Sequence, residues 1–130
     1  MEIGDRRSAD GRGEVWRRWK ARRKAMFEIV RPGYRLWSPH DWPTDQRGGG
    51  NIDVHVFLDG GEHYVGTVFA LENVSVLLEK FTREERLPGV WSTGMVIVER
   101  VDEATTVALI DRLIEVKELA SAFELVIDED

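Results

Sequence analysis

The clearest pattern in the chain is a strict alternation of apolar and polar positions between Ile52 and Leu58. Apolar side chains occupy every even position, and Asp53, His55 and Phe57 lie between them. A period of two is the pattern of a strand that buries one face. We therefore predict a half-buried strand here, with the odd-numbered side chains on its outer face.

A hairpin turn is predicted directly after this strand. The tetrapeptide Asp59-Gly60-Gly61-Glu62 has the composition of a tight turn, and the eight residues after it form the return strand. With a two-residue tip at the glycines, Phe57 pairs with Tyr64. In that register His55 and His63 point to opposite faces of the hairpin, because side chains alternate between faces along a strand.

Two amphipathic helices are predicted downstream. The first begins at Asn73, an N-cap residue, carries an apolar stripe with helical spacing, and ends before Pro88-Gly89. The second begins at Asp102, also an N-cap. Between them Met95–Val98 is apolar on both faces, which predicts a central strand that is covered on both sides or packed under a helix.

The order of these elements predicts the fold class. It reads β-β-β-α-β-α-(β), with a long loop over 38–51 that carries two prolines and three consecutive glycines. We predict an α+β domain: a mainly antiparallel sheet of about four or five strands with two helices packed on one face.

The charge of the chain changes sign at Met26. Residues 1–25 hold nine Lys/Arg against four Asp/Glu, a net charge of +5, whereas residues 26–130 hold nine against twenty, a net charge of −11. We predict a basic N-terminal extension over 1–25, disordered or marginally helical. Residues 26–130 are predicted to form a single acidic α+β domain. Three interpretations of this extension are open: a functional arm, an inert tail, or sequence upstream of a true start at Met26.

Composition excludes several classes of protein. The chain contains no Cys, so it has no disulfide, thiolate metal site or Cys nucleophile. It has no apolar run long enough for a membrane span and no secretory signal, and a cytoplasmic location is predicted. No catalytic residues, metal ligands or cofactor are predicted, so the chain is not expected to be an enzyme. The enzymatic alternative uses His40 beside Asp41.

Binding of another protein is the favoured hypothesis. An acidic domain attracts basic partners, and an aromatic pair on the outer face of the hairpin is typical of a binding surface. A covering element, or Trp side chains that pin a loop to the core, would explain the same residues. The predicted partner-binding residues are Asp53, His55, Phe57, Tyr64 and Trp42, with Glu84 and Glu85 as rim charges.

The alternative function is nucleic-acid binding through the segment 12–26. This segment combines positive charge with indole rings on which bases can stack, as in single-strand binders. Its candidate contact residues are Trp16, Arg17, Arg18, Trp19, Lys20, Arg22 and Arg23.

The segment from Val90 to Val126 resembles a group of small bacterial proteins, some of which look like immunity proteins of toxin systems. The resemblance lies in Trp91-Ser92-Thr93-Gly94 leading into an apolar strand, an acidic helix start at Asp102-Glu103, and a short element that ends at Phe123. It implies a similar fold and an immunity-type inhibitor of a toxin, and the acidic charge of the domain predicts that this toxin is basic. It implies no catalytic residue.

Overall fold

The computed structural model describes residues 26–43 and 50–127. The predicted basic extension over 1–25 and the middle of the predicted 38–51 loop therefore lie outside the described residues. In chain order the elements are β1 (Phe27–Arg31), β2 (Tyr34–Ser38), β3 (Asn51–Leu58), β4 (His63–Ala70), α1 (Leu71–Glu84), β5 (Met95–Val98), α2 (Glu103–Glu115), α3 (Leu119–Ala122) and β6 (Glu124–Leu125).

The strands form one mainly antiparallel sheet in the order β1-β2-β3-β4-β5. β5 is parallel to β4 and pairs with its second half, whereas β6 is antiparallel to β4 and pairs with its first half. The predicted α+β class with a mainly antiparallel sheet is confirmed. Four strands precede the first helix, one more than in the predicted order. Within the described residues, none of the helices combines the length and the apolar character needed to cross a membrane.

The register of the β3–β4 hairpin differs by one residue from the predicted register. Phe57 pairs with His63, and Val56 pairs with Tyr64. The turn has three residues rather than two: Gly61 N–H donates to the Leu58 carbonyl, and Leu58 N–H donates to the Glu62 carbonyl, both at 2.9 Å. Gly61 has φ +104°, a conformation that favours glycine. The shift moves every side chain of β4 to the opposite face from the predicted one.

The core lies on one face of the sheet, between the strands and the helices α2 and α3. We call the sheet side of this core the apolar face. The buried apolar residues of the core are Tyr34, Leu36, Ile52, Val54, Val56, Val68, Ala70, Val101, Ile110, Leu119 and Phe123. The helix α1 adds none of them and has no buried residue of its own. Of the two predicted helices, the second therefore supplies the packing, together with the short α3.

The first helix begins earlier than its predicted cap. Its N-cap is Ala70, which offers no side-chain hydrogen bond, and Asn73 lies within the first turn. The second helix begins as predicted, because Asp102 Oδ1 accepts a hydrogen bond from Thr105 N–H at 2.8 Å. This bond satisfies one of the backbone donors that a helix start leaves unpaired.

β5 is an edge strand, so the predicted central position is wrong. Among the described residues it pairs with β4 alone. Val96 and Val98 are half-buried and pack against the core, whereas the side chain of Ile97 is 51% exposed. An apolar strand can lie at an edge when one face packs on a core and the other face meets solvent.

A triad of residues joins the first hairpin to α2. Asp111 accepts hydrogen bonds from Tyr34 Oη at 2.7 Å and from Arg31 Nη2 at 3.0 Å. Burial raises the pKa of the Tyr34 hydroxyl, and its hydrogen bond to Asp111 adds to this effect. Arg31 also has a raised pKa, first of all through its hydrogen bond to Asp111. The triad lines a cavity of about 300 Å³ with Pro32, Ile114 and Glu115.

The contact between β4 and α3 requires glycine at position 66. A Cβ atom there would lie 2.8 Å from the Gly94 carbonyl oxygen and 2.9 Å from the ring of Phe123. We expect Gly66→Ala to lower the free energy of unfolding by about 2 kcal/mol, because the overlap forces backbone or a core ring to move. Urea denaturation measures the change.

Gly89→Ala is the matched control for that substitution, because nothing lies within 4 Å of the added methyl group at that position. We expect its effect to stay within about 0.5 kcal/mol. Equal stability of the two variants would contradict the close packing of Gly66 against Phe123.

The cap at Asp102 predicts a pH-dependent contribution to stability. Thr105 N–H lowers the pKa of the carboxyl group, so this contribution is complete above the ordinary aspartate pKa of about 4 and is lost as the pH falls through the lower folded value. We expect Asp102→Ala to cost about 1 kcal/mol at neutral pH. Asp102→Asn keeps an acceptor without titrating. Denaturant unfolding between about pH 2 and pH 7 compares the three proteins, and an alanine cost that does not shrink in acid would contradict the cap.

Candidate functional site

The face of the sheet opposite the core carries most of the candidate chemistry. It holds the side chains of Trp37, Asp53, His55, Phe57, His63 and Thr67, which we call the histidine face. The register sets this composition, because Trp37 pairs with His55, Phe57 with His63 and Asp53 with Thr67. Residues in these pairs project to the same side of a sheet.

Two of the three histidines are hydrogen-bonded to each other. His55 Nδ1 and His63 Nε2 lie 2.8 Å apart, so one ring donates and the other accepts. The prediction that these side chains point to opposite faces is wrong, since it followed from the two-residue turn. His63 is 2% exposed and stacks on Phe57 with ring centroids 4.1 Å apart. The His55–His63 pair is therefore part of a packed aromatic cluster.

The third histidine lies near a different carboxylate from its predicted partner. His40 Nε2 is 3.6 Å from Asp53 Oδ2, whereas Asp41 Oδ1 accepts a hydrogen bond from Trp42 N–H at 2.8 Å. Thr67 Oγ1 donates to Asp53 Oδ1 at 2.7 Å. The pairing of His40 with Asp41 is therefore wrong.

The His40–Asp53 contact lacks the partner that hydrolytic chemistry would require. In a catalytic triad the histidine ring accepts a proton from the nucleophile. Here Thr67 donates to the carboxylate instead, and Ser38 Oγ donates to the Asp53 carbonyl. Over the described ranges no hydroxyl is hydrogen-bonded to the His40 ring, and no group of three or more His, Asp or Glu residues could hold a metal ion. Within the described ranges this arrangement places an imidazole beside a carboxylate that Thr67 already occupies.

The predicted partner-binding residues do not form one surface. Asp53, His55 and Phe57 lie on the histidine face, where Phe57 is 4% exposed rather than open to a partner. Tyr64 lies on the apolar face, because it pairs with Val56. Its predicted pairing with Phe57 is therefore wrong.

The remaining predicted contact residues lie elsewhere. Trp42 stacks on Phe27 with centroids 4.5 Å apart and packs against the core, as expected for a tryptophan that pins a loop. Glu84 is the last residue of α1 and Glu85 is its C-cap, and both are exposed. The candidate nucleic-acid contacts between Trp16 and Arg23 lie outside the described residues.

A second candidate site lies where β5 and β6 follow the same side of β4. Trp91 immediately precedes β5 and is 73% exposed, which is the largest exposed aromatic surface of the described residues. The side chains of Ile97 in β5, Leu125 in β6 and Ile127 after it are also exposed. We call these four residues and the two strands the β5–β6 edge. Their side chains do not share one face of the sheet. Ile97 pairs with Phe69 and projects to the histidine face, whereas Leu125 pairs with Tyr64 and projects to the same side as the apolar face. A group of exposed apolar side chains along one edge is typical of an interaction site.

The described part of the chain, which carries this edge, has a net negative charge, and Arg100 beside the edge is paired with Asp102. The described residues contain eight Lys/Arg and sixteen Asp/Glu, a net charge of −8. Glu124 in β6 and Glu99 directly after β5 are both exposed. An acidic surface around an apolar strip favours a basic ligand, because opposite charges guide the approach and like charges oppose it.

Sequence reasoning named Trp91 only as part of the segment that resembles immunity proteins. It missed Ile97, because the uniform apolar run Met95–Val98 does not show which face will be covered. The short β6 was equally hard to predict, since two residues carry no periodicity. The edge depends on contacts between elements that are distant in sequence.

The buried histidine pair predicts a structural role for His63. We expect His63→Ala to lower the free energy of unfolding by about 2 kcal/mol, because it removes a buried ring, its stack on Phe57 and its hydrogen bond to His55. Chemical denaturation measures the loss.

His40→Ala is the control for this substitution, since the His40 side chain is 58% exposed. We expect a change within about 0.5 kcal/mol, as for other surface ion pairs. A His63→Ala variant as stable as the wild type would contradict the packed-cluster interpretation of the histidine face.

Comparison of the chain with protein families, with curated proteins and with solved structures finds no match. The resemblance of residues 90–126 to immunity proteins therefore stays a hypothesis. Function has to be inferred from the geometry of the histidine face and the β5–β6 edge alone.

Proposed function

We propose that the chain is a non-enzymatic protein-binding domain whose partner is basic. The observation that carries this proposal is the group of exposed apolar side chains at the β5–β6 edge, within a described part of the chain that has a net negative charge. Trp91 is the principal anchor, since tryptophan is the residue type most enriched among binding hot spots. The proposal moves the contact surface from the hairpin, where Phe57 is buried, to the edge of the sheet.

An immunity-type inhibitor of a basic toxin is the specific form of this function that we favour. Such an inhibitor has to reach a basic surface quickly, and a net charge of −8 over the described residues accelerates that encounter at low ionic strength. The mechanism needs no catalytic group in the inhibitor, because binding alone blocks the toxin. The resemblance of residues 90–126 covers Trp91 and β5, which are part of the proposed surface.

An enzymatic role has weaker support. His40 and Asp53 are both about half exposed, and their 3.6 Å separation exceeds hydrogen-bond length. The carboxylate of Asp53 is already bonded to Thr67.

Capture of a partner through Trp91 tests the proposal. Full-length wild type and Trp91→Ala are immobilised, exposed to lysate of the source organism, and the bound proteins are identified by mass spectrometry. We expect the wild type to retain a basic protein in stoichiometric amount. The Trp91→Ala variant should bind that protein at least about tenfold more weakly, the loss expected for a hot-spot residue. Raising the salt from about 0.05 to about 0.5 M should weaken binding further.

Val30→Ala is the matched control, because Val30 is 70% exposed on β1, at the other end of the sheet. It should bind the partner as the wild type does. Absence of any stoichiometric partner, or a partner that Trp91→Ala retains in full, would contradict the proposal.

A further inference from the structure

We propose that the β5–β6 edge binds its partner by strand addition: an extended basic segment of the partner pairs with β5 as a further strand of the sheet. This inference rests on the proposed protein-binding function and specifies the geometry of the contact. In this mode backbone hydrogen bonds supply affinity, and side chains on alternate positions supply specificity.

The backbone of β5 has the geometry that strand addition needs. In a parallel ladder, residues alternately direct their backbone groups toward the neighbouring strand and away from it. Thr67 N–H donates to the Gly94 carbonyl at 2.9 Å, so Gly94, Val96 and Val98 face β4. Met95 and Ile97 therefore direct their N–H and C=O groups away from β4. Among the described residues no strand pairs with this outer side of β5.

The length of the edge suits an added strand. β5 lies beside Thr67–Ala70, and β6 lies beside Tyr64 and Val65, so together they follow nearly the whole of β4. The turn before β5 and the start of β6 meet at Gly94, which has φ +68°. A Cβ built on Gly94 would be 3.6 Å from Glu124 N, so the two strands approach closely at this point.

The side chains beside the edge favour a segment that alternates apolar and basic residues. Ile97 and Trp91 offer exposed apolar contacts on β5 and just before it, and Leu125 and Ile127 offer them at β6 and beyond. Glu99 is exposed directly after β5, and Glu124 is exposed in the middle of the edge, where β6 begins beside Gly94. Glu99 and Glu124 would each pair with a lysine or arginine of the added strand.

A second copy of the chain is a poorer occupant than a basic partner. Pairing two β5–β6 edges would bring Glu99 and Glu124 of each copy toward the same residues of the other. Like charges across a strand pair are destabilising, and charged groups at an edge commonly prevent such self-pairing. The occupant that the charges favour is therefore a positively charged segment of another protein.

Titration of the 15N-labelled full chain with a model strand tests the inference. The probe is an acetylated, amidated peptide of about eight alternating lysine and valine residues, the length of an ordinary strand. We expect amide shift changes concentrated at 95–98 and 124–127. In hydrogen exchange with the same peptide, the amides of Met95 and Ile97 should gain protection, because their outward N–H groups become bonded.

Ile97→Pro is the decisive variant, since proline removes an outward N–H group but none of the hydrogen bonds to β4. We expect it to weaken peptide binding at least about tenfold, whereas Ile97→Thr, which keeps the N–H group, stays within about threefold of the wild type. A peptide of alternating glutamate and valine should not bind. If Ile97→Pro fails to fold, the protection of Met95 and Ile97 in the wild type still decides the question.

Several outcomes would overturn the inference. These are equal binding by Ile97→Pro, equal binding of the glutamate peptide, shift changes centred on β1, or self-association of the chain through β5. Strand addition and the protein-binding function can fail separately. If wild type and Ile97→Pro capture the lysate partner equally but Trp91→Ala does not, strand addition is wrong and the protein-binding function stands. If no variant captures a partner, the protein-binding function itself is wrong.

Discussion

The three-residue turn between β3 and β4 is the constraint on which the arrangement of this domain depends. Gly61 adopts a positive φ, and the hydrogen bonds of Leu58 with Gly61 and Glu62 close the hairpin one residue earlier on β3 than a two-residue tip would. Because side chains alternate along a strand, that single residue decides which side of β4 meets the core. It places Val68 and Ala70 among the buried residues and brings His63 to the same face as His55.

The register of β4 also affects the rest of the sheet. It pairs with β3 on one side and with both β5 and β6 on the other, so its register positions three other strands. Gly66 lies where β5 and β6 come together, and its missing side chain lets Phe123 and the Gly94 carbonyl approach the strand. The close contact at Gly66 therefore contributes both to the core and to the position of the edge.

The local elements of this fold were predictable from sequence, but the way they pair was not. The alternation from Ile52 to Leu58 and the cap at Asp102 both arise from interactions within a few residues, and the structure bears both out. The register of the hairpin was missed because Asp59-Gly60-Gly61-Glu62 can form a two-residue or a three-residue turn. The position of β5 was missed because burial of Met95–Val98 depends on which elements reach it from elsewhere in the chain.

The dependence on strand pairing also explains which features of the candidate sites could be predicted from sequence. Asp53 and His55 were singled out correctly as outward residues of β3, since that follows from alternation alone. Their partners were not, because Thr67, His63 and His40 reach them only through the register and the turn of the preceding loop. Sequence therefore indicated which residues lie opposite the core, and the pairing of strands decided that this face forms a packed cluster.

The acidic side chains beside the exposed apolar edge determine which strands can pair with it. An apolar edge strand, as β5 is among the described residues, is a site for uncontrolled pairing with other copies, and proteins usually protect such edges with charge or a cover. Glu99 and Glu124 provide charge of one sign, which opposes a second acidic copy. The same charge attracts a basic strand. A single set of side chains thus discourages self-association and favours a basic partner, and specificity of this kind requires both the attractive and the repulsive term.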